Sequence, residues 1–288
     1  MSTVATEAGV RAIERIVDSQ VAPVGSFSVR RVLPAHGRHA VGPWVFLDHF
    51  GPYASKPGVD GVGAHPHAGI ETVTYLLQGR NEHRDSAGNH GVVGALGAQW
   101  MTAGRGVVHS EHPLDDVQHG IQLWTSLPRA QKLRAPRYQR IDAGDIPQID
   151  RDGVRIRVIA GELDAERGPA DTLMPLFLWH LRLAPSARFE APLDAGFEAG
   201  AYVIEGAGFF GAGGGEAARQ GQLAIYENAE GSVAVANRDG APLEILLLGG
   251  APAEGPLVFH GPFVMNSVDQ VRAAEIAYRT GKMGTLGE

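Results

Sequence analysis

The 288-residue chain contains no cysteine, which excludes disulfides, a catalytic thiol, zinc-thiolate sites and iron-sulfur clusters. It also lacks any apolar run near the roughly 18 residues that a membrane span needs, so no membrane association is expected. Positive charge is scarce: 25 Lys and Arg stand against 32 Asp and Glu, and Arg15, Arg30, Arg31 and Arg38 are scattered. Nucleic-acid backbones are bound through clustered positive charge, so direct nucleic-acid binding is not expected either. The stretch from Met1 to Ala12 carries Glu7 and lacks the basic-then-apolar order of a signal peptide, which makes a cytoplasmic location the expectation.

What is present points to a β protein. With 44% apolar and 20% charged residues the chain is globular in composition, and 39 Gly with 18 Pro favour tight turns over long helices. The length suits two domains of about 130 to 140 residues each. Period-2 or continuous apolar segments predict strands at Trp44–Leu47, Thr72–Leu77, Gly120–Thr125, Val154–Ile159, Phe177–Leu183, Tyr202–Ile204, Leu223–Tyr226, Ser232–Ala236 and Glu244–Leu248. Turn clusters separate them, which predicts sandwiches or barrels. One helix is expected near the end: Ser267 caps it, Gln270 completes a capping box, Val271, Ala274 and Tyr278 share a face, and Gly281 stops it.

Histidine divides the chain. Ten of the twelve precede residue 120, leaving only His180 and His260 behind. The halves nevertheless look like copies, because Glu71, Tyr75 and Gly79 recur 127 positions later as Glu198, Tyr202 and Gly206. Under that offset His65 and His67 become Pro192 and Asp194, so the second copy loses the imidazoles. The expected organisation is an N-terminal extension (1–24), a chemical barrel (25–135), a proline-marked linker (136–153) and a structural barrel with the C-terminal helix (154–288).

The chemistry is concentrated in two segments. His65-Pro66-His67 places two imidazoles at i and i+2, which on a strand point the same way. His109-Ser110-Glu111 repeats that spacing with an imidazole and a carboxylate. Facing each other across a barrel, they make a site of three histidines and one carboxylate, suited to Fe(II), Mn, Ni, Cu or Zn. Glu71 is a rival carboxylate, since it shares strand parity with His67, but its copy Glu198 in the half that lacks the paired imidazoles argues for a supporting task. Phe46, Phe50, Tyr75, Trp100 and Trp124 are available to wall a substrate pocket, and His112 and His119 read as exposed or strand-edge residues.

The segments H65-P-H67-A-G-I-E71-T-V-T-Y-L-L-Q-G79 and Q99-W-M-T-A-G-R-G-V-V-H109-S-E111 resemble the first and second cupin motifs in the wording of the pirin family. P43-W-V-F-L-D-H-F-G-P52 and G261-P-F-V-M-N266 extend the likeness over nearly the whole chain. Two positions depart from the general cupin pattern: Gly104 replaces a proline and Pro113 an asparagine. The resemblance implies an all-β chain of two tandem cupin barrels, with metal held by the N-terminal barrel on His65, His67, His109 and Glu111, and Fe(II) as the first choice. It also implies a quercetin 2,3-dioxygenase-type activity, in which a small aromatic substrate and O2 are the partners. Glu111 would then serve both as ligand and as acceptor of the flavonol hydroxyl proton. Two other functions fit the resemblance: a nonenzymatic redox-responsive regulator that binds another protein, and a metal-dependent isomerase or lyase. A monomer is expected, because fused barrels can satisfy each other's exposed edges.

Overall fold

The computed structural model describes residues 9–286. In chain order its strands are β1 (Ile13–Asp18), β2 (Gln20–Val24), β3 (Phe27–Leu33), β4 (Trp44–Ala54), β5 (Val62–His67), β6 (Ile70–Gln78), β7 (Asn81–Asp85), β8 (His90–Val93), β9 (Ala98–Thr102), β10 (Val107–Pro113), β11 (Val117–Ser126) and β12 (Arg137–Ile141). There follow β13 (Gln148–Arg151), β14 (Val154–Ala160), β15 (Glu162–Leu163), β16 (Glu166–Arg167), β17 (Leu176–Leu183), β18 (Arg188–Pro192), β19 (Glu198–Glu205), β20 (Ala207–Phe210), β21 (Glu216–Arg219), β22 (Gln222–Tyr226), β23 (Ser232–Ala236), β24 (Leu243–Gly250), β25 (Val258–His260) and β26 (Phe263–Met265). Helix α1 (Val268–Arg279) ends the series, and no helix among the described residues is long and apolar enough to cross a membrane.

Two compact units emerge. The first (20–146, 169–174 and 253 onward) has a seven-stranded sheet, β12-β9-β6-β11-β4-β3-β2, and a four-stranded sheet, β5-β10-β7-β8. The second (through 19, 147–168 and 175–252) repeats this plan with β1-β22-β19-β24-β17-β14-β13 and β18-β23-β20-β21. Strand β6 lies between β9 and β11, and β19 lies between β22 and β24, so the Glu71/Tyr75 and Glu198/Tyr202 pairs fall on equivalent strands. The expected tandem of cupin barrels with a short C-terminal helix is observed, and each strand predicted from periodicity lies inside an observed strand.

The cores explain the chemical asymmetry. In the second unit Trp179, Leu181, Phe189, Phe210, Tyr226 and Val235 pack into one buried apolar cluster. Among the described residues the side chains grouped to suit a metal lie in the first unit, and burying each large apolar side chain of the second contributes about 1.5–3 kcal/mol. Strand β18 shows the alternation responsible, with Phe189 and Ala191 buried between exposed neighbours.

The boundaries differ from those expected. Residues 136–153 form β12 and β13 rather than a linker, each pairing at the outer edge of its sheet. Pro136 and Pro147 fall immediately before these strands, where a missing N–H costs no ladder bond, and short edge strands show little alternation. Within the expected N-terminal extension, Ile13–Asp18 pairs with β22 as an edge strand of the second unit. Helix α1 groups with the first unit instead of the second. Ser267 caps it by accepting from Gln270 N at 3.1 Å, while the Gln270 side chain reaches back to Asn266 N. Val271 and Ala274 are buried as expected, but Tyr278 is 41% exposed and does not share their packing.

Candidate metal centre

The histidine segments meet through one strand pair. β10 runs antiparallel to β5 with His109 opposite His65 and Val107 opposite His67. Pro66 is tolerated between the two imidazoles because β5 is the edge of its sheet. On its other side β10 pairs with β7, setting His109 opposite Asp85 and Glu111 opposite His83. Alternation then directs His65, His67, His83, Asp85, His109 and Glu111 to one face.

Candidate ligand nitrogens of His65, His67 and His109 all lie within 4.8 Å of one another. His65 Nδ1 is 2.8 Å from the Gly63 carbonyl and His67 Nδ1 is 3.1 Å from the Pro262 carbonyl. A carbonyl only accepts, so each Nδ1 carries the proton and each Nε2 is left with a bare lone pair. Those two Nε2 atoms are 3.1 Å apart, close to the roughly 3 Å separating two imidazole nitrogens bound at right angles to one ion at about 2.1 Å. His109 Nε2 is buried without a hydrogen-bond partner. Imidazole lone pairs that converge repel one another unless a cation lies between them, so the donor set fits a metal. Burial, reinforced by the neighbouring His65, lowers the His67 pKa to about 3, and burial followed by the other histidines holds His109 well below its ordinary value. Both rings therefore stay neutral at physiological pH, as ligands must.

Glu111 stands beside this trio without belonging to the same tight group. Its Oε1 accepts from Thr74 Oγ1 at 2.6 Å and, at 3.4 Å, from Asn81 Nδ2 and Gln99 Nε2. All three donors converge on one oxygen, which leaves Oε2 uncommitted. Glu71 is elsewhere. It lies at odd parity to Thr74 on β6, so it points through the opposite face, where Thr102 Oγ1 donates to it at 2.7 Å and Arg137 lies 4.0 Å away. Parity shared with His67 does not survive the bend at Ala68-Gly69, which separates β5 from β6. Burial raises the Glu71 pKa against hydrogen bonds from Thr102 and Thr125 and the charge of Arg137.

His65 and His67 open on a cavity of about 500 Å³, with His109 buried behind them. Phe46, Phe50 and Trp124 line it, with Phe46 and Trp124 stacked at 4.0 Å and Trp124 edge-on to His67 at 4.9 Å. Tyr75 and Trp100 do not line it: both are fully buried and lie at odd parity to Thr74 on β6 and to Gln99 on β9, on the face away from Glu111. Sequence reasoning missed Phe27 and Tyr53, which stack at 4.8 Å on the same wall. It also missed a polar row that register assembles across five strands: Arg31 opposite Asp48, then Gln122, Thr74 and Gln99. Arg31 and Asp48 form a two-pronged ion pair at 2.8 and 2.7 Å, and the guanidinium lies 4.6 Å over Phe46. Burial raises the Asp48 pKa against the pull of Arg31. His119, expected at a strand edge, contacts the buried His49 at 2.7 Å, and His112 Nδ1 lies 3.2 Å from the Asp60 carbonyl.

Comparison with known proteins agrees with the motifs. Residues 26–125 match the family described as Pirin, and residues 178–284 match the Pirin C-terminal cupin domain. A pirin-like protein of Solanum lycopersicum is 37% identical over 257 residues, covering 89% of this chain and 87% of the relative. Pirin of Homo sapiens is 33% identical over 258 residues, covering 89% and 88%. A crystal structure of quercetin 2,3-dioxygenase from Acinetobacter baumannii superimposes with a TM-score of 0.88 at 31% identity, over 97% of this chain and 100% of that one. Motif wording, tandem barrels and these matches agree: the chain belongs to the pirin family.

Proposed function

We propose that the first unit holds one divalent transition metal on His65, His67, His109 and Glu111, and that the protein is an O2-dependent dioxygenase opening quercetin or a related flavonol. One observation carries the reading: the candidate ligand nitrogens of His65, His67 and His109 converge, and two of these rings, His65 and His67, stand in the wall of an aromatic-lined cavity. The likeness to a structure of a quercetin 2,3-dioxygenase supports the choice of substrate. The ligand chemistry suits Fe(II) first, with Mn, Ni, Cu or Zn as the other members of the set.

Bound there, the metal supplies an open coordination position and the redox capacity that lets triplet dioxygen react with a closed-shell phenol. The remaining work belongs to the chain. The stacked Phe46 and Trp124 and the Phe27–Tyr53 pair exclude water and offer flat faces to a planar ring system. Thr74 fixes Glu111 through Oε1, leaving Oε2 for the ligand role and for the substrate hydroxyl proton. Arg31 and Asp48 present a charged pair to the hydroxyls of the distal ring. Three neutral imidazoles and one carboxylate around a divalent ion leave a net charge near +1, which favours an enolate-type oxygen.

The test is direct. Protein loaded with Fe(II) and incubated with quercetin should bleach the flavonol absorbance in air with release of carbon monoxide and leave it unchanged under argon. Glu111→Gln should abolish bleaching. Full turnover by that variant, or wild-type protein inert with every metal of the set, refutes the proposal.

A further inference from the structure

Two buried groups near the metal centre are unused by this mechanism. His83 and Asp85 lie at i and i+2 on β7, both almost fully buried, and His83 stacks on Tyr138 at 4.4 Å. His83 Nε2 is 3.1 Å from Asp85 Oδ2, and His83 Nδ1 is 3.4 Å from His109 Nδ1. We propose that His83 and Asp85 are positioning residues that set the tautomer of His109, keeping its proton on Nδ1 so that Nε2 presents a lone pair to the ion. The inference rests on the reading of His109 as a ligand.

The protons of the two rings are fixed in sequence. A carboxylate accepts only, so His83 Nε2 carries a hydrogen and donates it to Asp85. A neutral imidazole has one N–H, so His83 Nδ1 is a bare acceptor. The nitrogen facing it, His109 Nδ1, must then supply the proton of that contact, which strips His109 Nε2. Asp85 is fixed in turn: Ala87 N and Asn89 N donate to Oδ1 at 3.0 Å each, and Asn89 Nδ2 donates to Oδ2 at 2.9 Å.

His109 needs this chain because its anchor differs from those of its neighbours. His65 and His67 have main-chain carbonyls at Nδ1, which can never donate. His109 instead faces another imidazole, whose Nδ1 could equally carry a hydrogen. Only the carboxylate beyond that ring decides which tautomer both adopt.

Asp85→Asn tests this with little change of shape. The amide keeps an oxygen at the Oδ1 position for Ala87 N, Asn89 N and Asn89 Nδ2 and turns its N–H2 toward His83 Nε2, giving up the 2.9 Å bond from Asn89 Nδ2 to Oδ2. That reverses both rings and puts a proton on His109 Nε2. In metal-free protein, nitrogen-15 NMR of the histidine rings should report the Nδ1–H tautomer of His109 in the wild type and Nε2–H in Asp85→Asn. Zn(II) affinity, measured by competition with a chromophoric chelator, should fall about 10- to 100-fold. His83→Phe keeps the stack on Tyr138 but loses the acceptor and should also bind Zn(II) more weakly. His83→Asn, which restores an acceptor near the Nδ1 position, should recover part of the loss. Asp85→Asn and His83→Phe binding Zn(II) like the wild type, with His109 still in the Nδ1–H form, would overturn the inference. Wild-type protein that takes up no Zn(II) while showing the predicted tautomer would overturn the metal reading and leave the relay supported.

Discussion

Gly69 connects the chemical segment to its scaffold, and replacing it with alanine separates two costs that are usually merged. Its φ is +78°, a left-handed conformation, and a Cβ there would lie 2.1 Å from the Val264 carbonyl oxygen. Gly58 has a similar φ of +72° with nothing within 4 Å of its Cβ position. Gly58→Ala therefore meets only the left-handed strain of about 1–2 kcal/mol, less about 0.4–1 kcal/mol regained from a stiffer unfolded chain. Gly69→Ala meets the same strain and must also push the Val264 carbonyl back by about 1 Å to reach ordinary contact. That carbonyl accepts from buried Lys132 Nζ at 2.9 Å, and Val264 N donates to Ala68 O at 3.2 Å. Losing both buried bonds adds about 1–3 kcal/mol each, so Gly69→Ala should destabilise the protein by about 2–7 kcal/mol and Gly58→Ala by about 0–1.6 kcal/mol. Because Pro262, whose carbonyl anchors His67, belongs to the same hairpin, Zn(II) affinity should fall in Gly69→Ala and stay unchanged in Gly58→Ala. Urea unfolding followed by tryptophan fluorescence measures the stabilities. Two variants within 1 kcal/mol of each other would refute the reasoning.

Thr74→Val keeps the shape of the side chain but removes the 2.6 Å donor to Glu111; roughly tenfold weaker metal binding is expected in a chelator competition, with the unfolding midpoint nearly unmoved. Trp124→Ala opens the cavity wall and takes away the stacking partner of Phe46, so KM for quercetin should rise about tenfold in steady-state kinetics, the equivalent of about 1.4 kcal/mol. Glu71 has a folded pKa above its unfolded one, so the stability that it contributes is fully present below the unfolded value of 4.5 and is lost as pH rises through the folded value. Glu71→Gln should remove that slope and unfold at a higher urea concentration than wild type at pH 8; equal midpoints there would count against a buried carboxylate. Stripping the metal with a chelator should lower the melting temperature, by an amount that grows with the free metal concentration of the untreated sample.

The sequence was most informative where a residue's task depends on its own strand. Alternation along single segments was enough to identify nine strands, both barrels and the pairing of His65 with His67, because side chains two apart on a strand share a face without help from any neighbour. The uneven distribution of histidine announced which barrel holds the cluster of His65, His67 and His109, and an apolar cluster fills the other. His83 and Asp85 obey the same i and i+2 rule and could have been found by it.

Other features needed tertiary structure, because they depend on which strand lies beside which and in what register. A bend at Ala68-Gly69 cancelled the parity linking Glu71 to His67, so the rival carboxylate ended on the far face. Tyr75 and Trp100 were eliminated from the cavity and Phe27, Tyr53 and Arg31 admitted by sheet orientation alone. Edge strands β12 and β13 carry too little alternation to announce themselves, and β1 finds its partner more than 200 residues away. The sequence thus determined the fold and the histidine pair at its candidate site. Register decided which polar groups fix each donor, since a hydrogen bond across strands is set by alignment that no single segment encodes.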